Sequence, residues 1–137
     1  MSKLNQDMVA DVLDFHEKFG QYVGQHPHWP PFDVMRMRFK LVAEEYNELS
    51  TAVGGEDLTM IADGVGDLMY VLIGMCNAMG IDLRPVWAAI HRANMRKEGG
   101  GSREDGKILK PEGWLPPDIA AILELQPALE TNRESDG

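Results

Sequence analysis

The segment Leu58-Thr59-Met60-Ile61-Ala62-Asp63-Gly64-Val65-Gly66-Asp67-Leu68-Met69-Tyr70-Val71-Leu72 decides how this chain folds. Leu58, Ile61, Val65, Leu68 and Leu72 recur in steps of three and four, and Met75 and Met79 continue the series. This is the apolar seam of a helix packed in a bundle. Asp57 can cap its start and Gly80 can stop it, which predicts a helix over about 58–79. Two features break the local rules for such a helix. Asp63 and Asp67 share one face at i,i+4, where like charges destabilise a helix. The glycines inside the segment each cost about 1 kcal/mol relative to alanine.

The preceding helix carries the same anomaly. Met35, Phe39, Val42, Tyr46, Leu49 and Val53 form an apolar stripe over about 34–53, with Asp33 as the expected N-cap and Gly54-Gly55 as the stop. Within it lie Glu44, Glu45 and Glu48, so five carboxylates fall within 24 residues. Ala62, Val65, Leu68 and Met69 crowd Asp63 and Asp67, which places these acids at an expected helix–helix contact. Buried carboxylates need partners, and the two helices supply few cations. Hard oxygen ligands with no Cys or His among them suit Mg²⁺, with Mn²⁺ as the alternative. A di-iron site would require Glu-x-x-His on two helices. No histidine in this chain has a glutamate three residues before it.

Outward from these helices the pattern stays helical. Met8, Val12, Phe15 and Phe19 predict a helix over 4–19, stopped by Gly20. Residues 20–32 form a proline-rich loop whose His26, His28 and Trp29 could line a pocket. Asp82 can cap a helix over about 83–97 carrying Val86, Ala89, Ile90 and Ala93. Gly99-Gly100-Gly101-Ser102 reads as a flexible linker or hinge. Residues 103–117 have turn chemistry and no period, and Asp118 can cap a short helix to about 125. Trp87, Trp114 and the methionines Met69, Met75 and Met79 are expected in the core. The expectation is an all-α, four-helix bundle protomer with an irregular C-terminal segment: one helical domain over 1–125, then a frayed polar tail over 126–137.

Composition sets the outer bounds. The 137 residues suit one domain, and 44% are hydrophobic, enough for a core. No uninterrupted apolar run reaches membrane-span length, and the first residues carry no apolar signal core, so no membrane partner is expected. Cys76 is the lone cysteine, which fits a reducing, cytoplasmic setting. A net charge of −9 argues against a nucleic acid polymer as partner. Yet residues 92–110 hold six basic side chains against three acidic ones. A basic island in an acidic protein points to a small anionic ligand.

Arg36 through Leu49, with Glu44-Glu45-Tyr46-Asn47-Glu48 at its centre, resembles the EExxE helix of the MazG-like all-α nucleoside triphosphate pyrophosphohydrolases. Asp63 through Val71 resembles their second acidic helix, written ExxD and followed by an aromatic residue. His91-Arg92-Ala93-Asn94-Met95-Arg96-Lys97 resembles the HRxNMxK stretch of the branch similar to phosphoribosyl-ATP pyrophosphatase. Asp105-Gly106-Lys107-Ile108-Leu109-Lys110-Pro111, followed by Pro116-Pro117-Asp118-Ile119, resembles that branch's C-terminal segment. The pattern departs at Gly64, where ExxD would place its glutamate. Asp63, still on the face of Asp67, is expected to take its place.

The resemblance implies hydrolysis of a nucleoside triphosphate, with dUTP or another non-standard nucleotide as candidate substrate, to the monophosphate and pyrophosphate. The alternatives are phosphoribosyl-ATP as substrate, or a non-catalytic helical dimer that binds metal or nucleotide. It also implies a homodimer, a tetramer being the other arrangement. Glu45, Glu48, Asp63 and Asp67 are then the metal ligands, with Glu44 a further ligand or the base that orients water; Glu44 and Glu45 are the catalytic pair. Arg92, Asn94, Lys97, Lys107 and Lys110 are the substrate-binding candidates, with residues 99–110 forming a lid over the phosphates.

Overall fold

The structure, a computed structural model, describes residues 6–129. It is all-α: Met8–Lys18 (α1), Phe32–Gly54 (α2), Leu58–Ala78 (α3), Leu83–Met95 (α4) and Ile119–Leu125 (α5). Among the described residues the β-structure is one isolated bridge, Ser102 to Ile108.

Local chemistry sets the helix ends. Asp7 caps α1, its side chain accepting from the Ala10 amide at 3.0 Å, so the helix starts at Met8 and not at residue 4. Residues 4 and 5 lie outside the described residues. Asp57 caps α3 as expected, accepting from Met60 N at 3.1 Å. Asp118 likewise takes the Ala121 amide at the start of α5. The N-cap of α2 is Pro31, whose carbonyl takes the Val34 and Met35 amides. Asp33 is displaced into the first turn, where its charge meets the positive end of the helix dipole. Helices α1 and α3 close in Schellman turns, with Gly20 and Gly80 left-handed and the bonds Gln21 N to His16 O and Ile81 N to Cys76 O at 2.8 and 2.9 Å. Helix α2 closes in the same way, but its left-handed residue is Glu56, at φ 54°, beyond both expected glycines.

The chain forms two compact units, one running to Asp82 and resuming at Gln126, the other Leu83–Leu125. In the first, α3 packs against α2 along its length and also against α1. Val12, Leu13, Ile73 and Ala78 are core, and Phe15 meets Tyr70 edge-on at 5.6 Å. Gly64 permits the α2–α3 approach, since a Cβ there would stand 3.3 Å from Leu49 Cδ1. The loop before α2 is tied to the end of α3 by Gly24 N to Asn77 O and His28 N to Met79 O, at 2.9 and 3.0 Å. By length and composition α3 could cross a membrane, but Asp63, Asp67 and Asn77 interrupt it and it packs as a bundle helix.

The segment from Gln126, expected to fray, begins docked. The buried Gln126 amide brackets Asp82, donating to its carbonyl at 2.8 Å and accepting from its N–H at 3.0 Å. Leu129 N reaches Gln25 O at 2.8 Å. A side chain that satisfies both backbone groups of one residue holds the strand of chain it belongs to. Residues 130–137 lie outside the described residues.

In the second unit α4 packs against α5, and Val86, Ala89 and Ala93 are buried. The expected flexible linker is a bonded loop here. Arg103 N meets Lys107 O and Gly106 N meets Arg103 O, both at 2.8 Å, and Leu109 N meets Gly101 O at 3.0 Å. Asp105-Gly106 makes the turn that such a dipeptide favours. Trp114 is half-buried, but Trp87 is 66% exposed and is not core.

Candidate active site

The expected apolar stripe of α2 is covered only in part: Met35, Val42 and Leu49 are half-buried. Phe39, Tyr46 and Val53 are 65%, 61% and 56% exposed, whereas Arg38 and Ala52 are buried and Leu41, Glu45 and Leu49 half-buried. The inward face is therefore 38, 41, 45, 49 and 52, about one residue round from the predicted one. This rotation carries Glu45 into the contact with α3. Glu44, Glu48, Asp63 and Asp67 are exposed, which corrects the expectation of a buried set. Periodicity marks an apolar face but does not say what covers it.

Glu45 is the centre of the acidic group. Desolvation holds its carboxyl above the ordinary range, and the charges of Glu48, Asp67 and Glu44 push it further, with a Glu48 hydrogen bond that only a protonated carboxyl can make. Glu45 Oε2 is buried with no hydrogen-bond partner. An orphaned acceptor amid carboxylates, with no cation among the charges acting on it, has the chemistry of a divalent-cation site. The described residues hold no group of three His, Cys, Asp or Glu side chains already gathered to hold a metal ion. Asp63 is not among the charges acting on Glu45.

Sequence reasoning missed a buried polar group. His16, Arg38 and Asn77 are at most 3% exposed. Arg38 donates to Gln21 Oε1 at 3.2 Å, while its Nε, His16 Nδ1 and both side-chain polar atoms of Asn77 lack partners. Burial, aided by the Arg38 charge, lowers the His16 imidazole to about 4, so it is neutral at pH 7. Gly74 makes the room: a Cβ there would lie 3.3 Å from His16 Nε2 and 3.5 Å from Arg38 Nη1. Arg38 next to an apolar residue on α2 was the available signal, hidden by the one-residue rotation.

The loop before α2 is polar and ordered. His28 Nδ1 donates to His26 O at 2.8 Å, leaving Nε2 to accept from the Tyr22 hydroxyl at 2.6 Å. Trp29 is 74% exposed beside it.

In the second unit Arg92, Asn94, Lys107 and Lys110 are exposed and Lys97 is half-buried. Arg103, a further expected phosphate partner, is engaged by both carboxylate oxygens of Asp105, with Nε to Oδ1 at 2.9 Å. Lys97 Nζ and Lys110 Nζ lie 5.3 and 5.1 Å from the centroid of the Trp114 ring.

Residues 12–94 match the family model described as phosphoribosyl-ATP pyrophosphohydrolase. The chain is also similar to an uncharacterised protein of Acanthamoeba polyphaga mimivirus, 41% identical over 76 residues. That match takes in 53% of this chain and 30% of the viral protein, so the chain spans only a part of that relative's length.

Proposed function

Because the chain belongs to the phosphoribosyl-ATP pyrophosphohydrolase family, within the MazG-like all-α superfamily, we propose that it hydrolyses a nucleotide between its α and β phosphates, releasing pyrophosphate. The substrate in this reading is a nucleoside triphosphate, dUTP or another non-standard nucleotide included. The observation that carries it is Glu45, its Oε2 unpartnered and its carboxyl flanked by Glu44, Glu48 and Asp67.

Phosphoryl transfer asks a protein for charge neutralisation and alignment more than for covalent chemistry. Glu45, Glu48 and Asp67, with Asp63 as a further candidate, would hold Mg²⁺ or Mn²⁺. When bound, the ion supplies positive charge against the phosphate oxygens and lowers the pKa of water. Glu44 is exposed beside this group and orients the attacking water or takes its proton. Lys97, Lys107, Lys110 and Arg92 offset phosphate charge, and Asn94 offers both a donor and an acceptor to the sugar or phosphates. The proposed protomer acts as a homodimer.

A second reading takes phosphoribosyl-ATP as substrate, and the description of the matching family favours it. The chemistry is the same; the leaving nucleotide is larger. Pyrophosphate release in Mg²⁺ from a panel of ribo- and deoxynucleoside triphosphates and phosphoribosyl-ATP tests both. Turnover of one triphosphate well above the rest supports the first reading, and turnover of phosphoribosyl-ATP alone supports the second. No release from any member leaves a binding module.

A further inference from the structure

Lys97 and Lys110 come from opposite ends of the 98–109 loop, yet both side chains converge on one indole, at 5.3 and 5.1 Å from its centroid. The ring is held independently of them. Trp114 Nε1 donates to Ala93 O in the last turn of α4 at 2.8 Å, and Trp114 N meets Pro111 O at 3.1 Å. The loop between the lysines is closed by its own backbone bonds, and its one arginine is neutralised by Asp105. Among the described residues neither lysine has a carboxylate partner. Two like charges have thus been drawn to the electron-rich π-system of one aromatic ring. Their mutual repulsion favours an anion that accepts from both. That anion must be small, multiply charged and rich in acceptor oxygens.

We propose that Trp114 is a positioning residue that holds Lys97 and Lys110 as one clamp for the pyrophosphate moiety, both in the substrate and as the released product. The proposal rests on the pyrophosphohydrolase reading and adds Trp114 to it. The indole does not touch phosphate. It sets where the ammonium groups stand before an anion arrives, which lowers the cost of ordering two flexible side chains. An ordinary anchoring tryptophan would need only its N–H bond to Ala93 and its buried edge.

The test is titration of the full chain with inorganic pyrophosphate by calorimetry at fixed Mg²⁺, alongside KM and kcat for the best nucleotide. Trp114→Leu removes ring and N–H; Trp114→Phe keeps an aromatic face, smaller than the indole, and loses the N–H. The expected result is about tenfold weaker pyrophosphate binding and a similar rise in KM for Trp114→Leu, with kcat within about twofold, and recovery of most of the loss in Trp114→Phe. Lys97→Met and Lys110→Met should each weaken pyrophosphate, and less so in the Trp114→Leu background. Unchanged binding in Trp114→Leu overturns the proposal, and so does equal damage from Phe and Leu, which would make the N–H anchor the whole of the role. If Trp114→Leu does not fold, the lysine variants decide: pyrophosphate binding indifferent to both overturns the clamp. The titration needs no turnover. Trp114-dependent pyrophosphate binding without hydrolysis would sink the activity and spare the clamp; hydrolysis with indifferent binding would do the reverse.

Discussion

Glu56 sits at φ 54°, where a side chain on an L-residue crowds the backbone. It occupies the position that glycine takes at the ends of α1 and α3. Relieving the strain is worth roughly 1–2 kcal/mol, and glycine's greater freedom in the unfolded chain returns part of it. Glu56→Gly is therefore expected to stabilise the protein by about 0.5–1 kcal/mol in urea denaturation; a loss of stability would show that the glutamate makes a compensating contact. His16 is the second residue with a measurable signature. Its folded pKa of about 4 lies below the unfolded value of 6.5. Between them the unfolded chain binds the extra proton, so the histidine's contribution is intact above pH 6.5 and is lost as pH falls toward 4. The full effect is on the order of 3 kcal/mol. Wild type should lose stability between pH 7 and 4.5 more steeply than His16→Gln. Parallel pH curves for the two would remove His16 from the account.

At the scale of the helices, the proposed metal site gathers like charges on α2 and α3, which a bound cation would offset. Ligands that bind only the folded state raise its stability by mass action. Millimolar Mg²⁺ or Mn²⁺ is expected to raise the melting temperature, and Glu48→Gln to remove most of that response. Flat melting curves with and without metal in the parent protein would count against the site. Asp63→Asn should reduce the response less than Glu48→Gln, because Asp63 is not among the charges that act on Glu45. An equal or greater loss would place Asp63 on the metal, in the role of the glutamate missing at Gly64. Gly64 itself is occupied structurally, since its bare Cα faces Leu49.

At the scale of the molecule, the first unit leaves a large apolar surface uncovered. Phe39 and Tyr46 on α2, and Val65, Met69 and Leu72 on α3, are 38–65% exposed. Large exposed side chains of this kind are what an interaction face supplies. The proposed homodimer would cover it. Light scattering should therefore report twice the chain mass, and Phe39→Lys should shift the protein toward monomer with its helix content kept. A parent protein that runs as a monomer at micromolar concentration would defeat the dimer.

The helices were legible from the chain because their signals are local. Asp57, Asp118, Gly20 and Gly80 act through bonds to residues a few positions away, and the 3–4 spacing of Leu58 through Met79 is a property of the segment alone. The acidic motif was legible for the same reason, as was the family it resembles. What covers each face was not. Phe39, Tyr46 and Trp87 read as core and stand in solvent, while Arg38, His16 and Asn77, which no spacing singled out, are buried. Side-chain periodicity defines an apolar direction to within one residue, about 100° on a helix; only packing against α3 selected the face of α2 that turned inward. The same packing singled out Glu45 from its acidic neighbours, and the meeting of Lys97 and Lys110 on Trp114 required the loop to close. Those placements depend on contacts between residues distant in the chain, which no local spacing encodes.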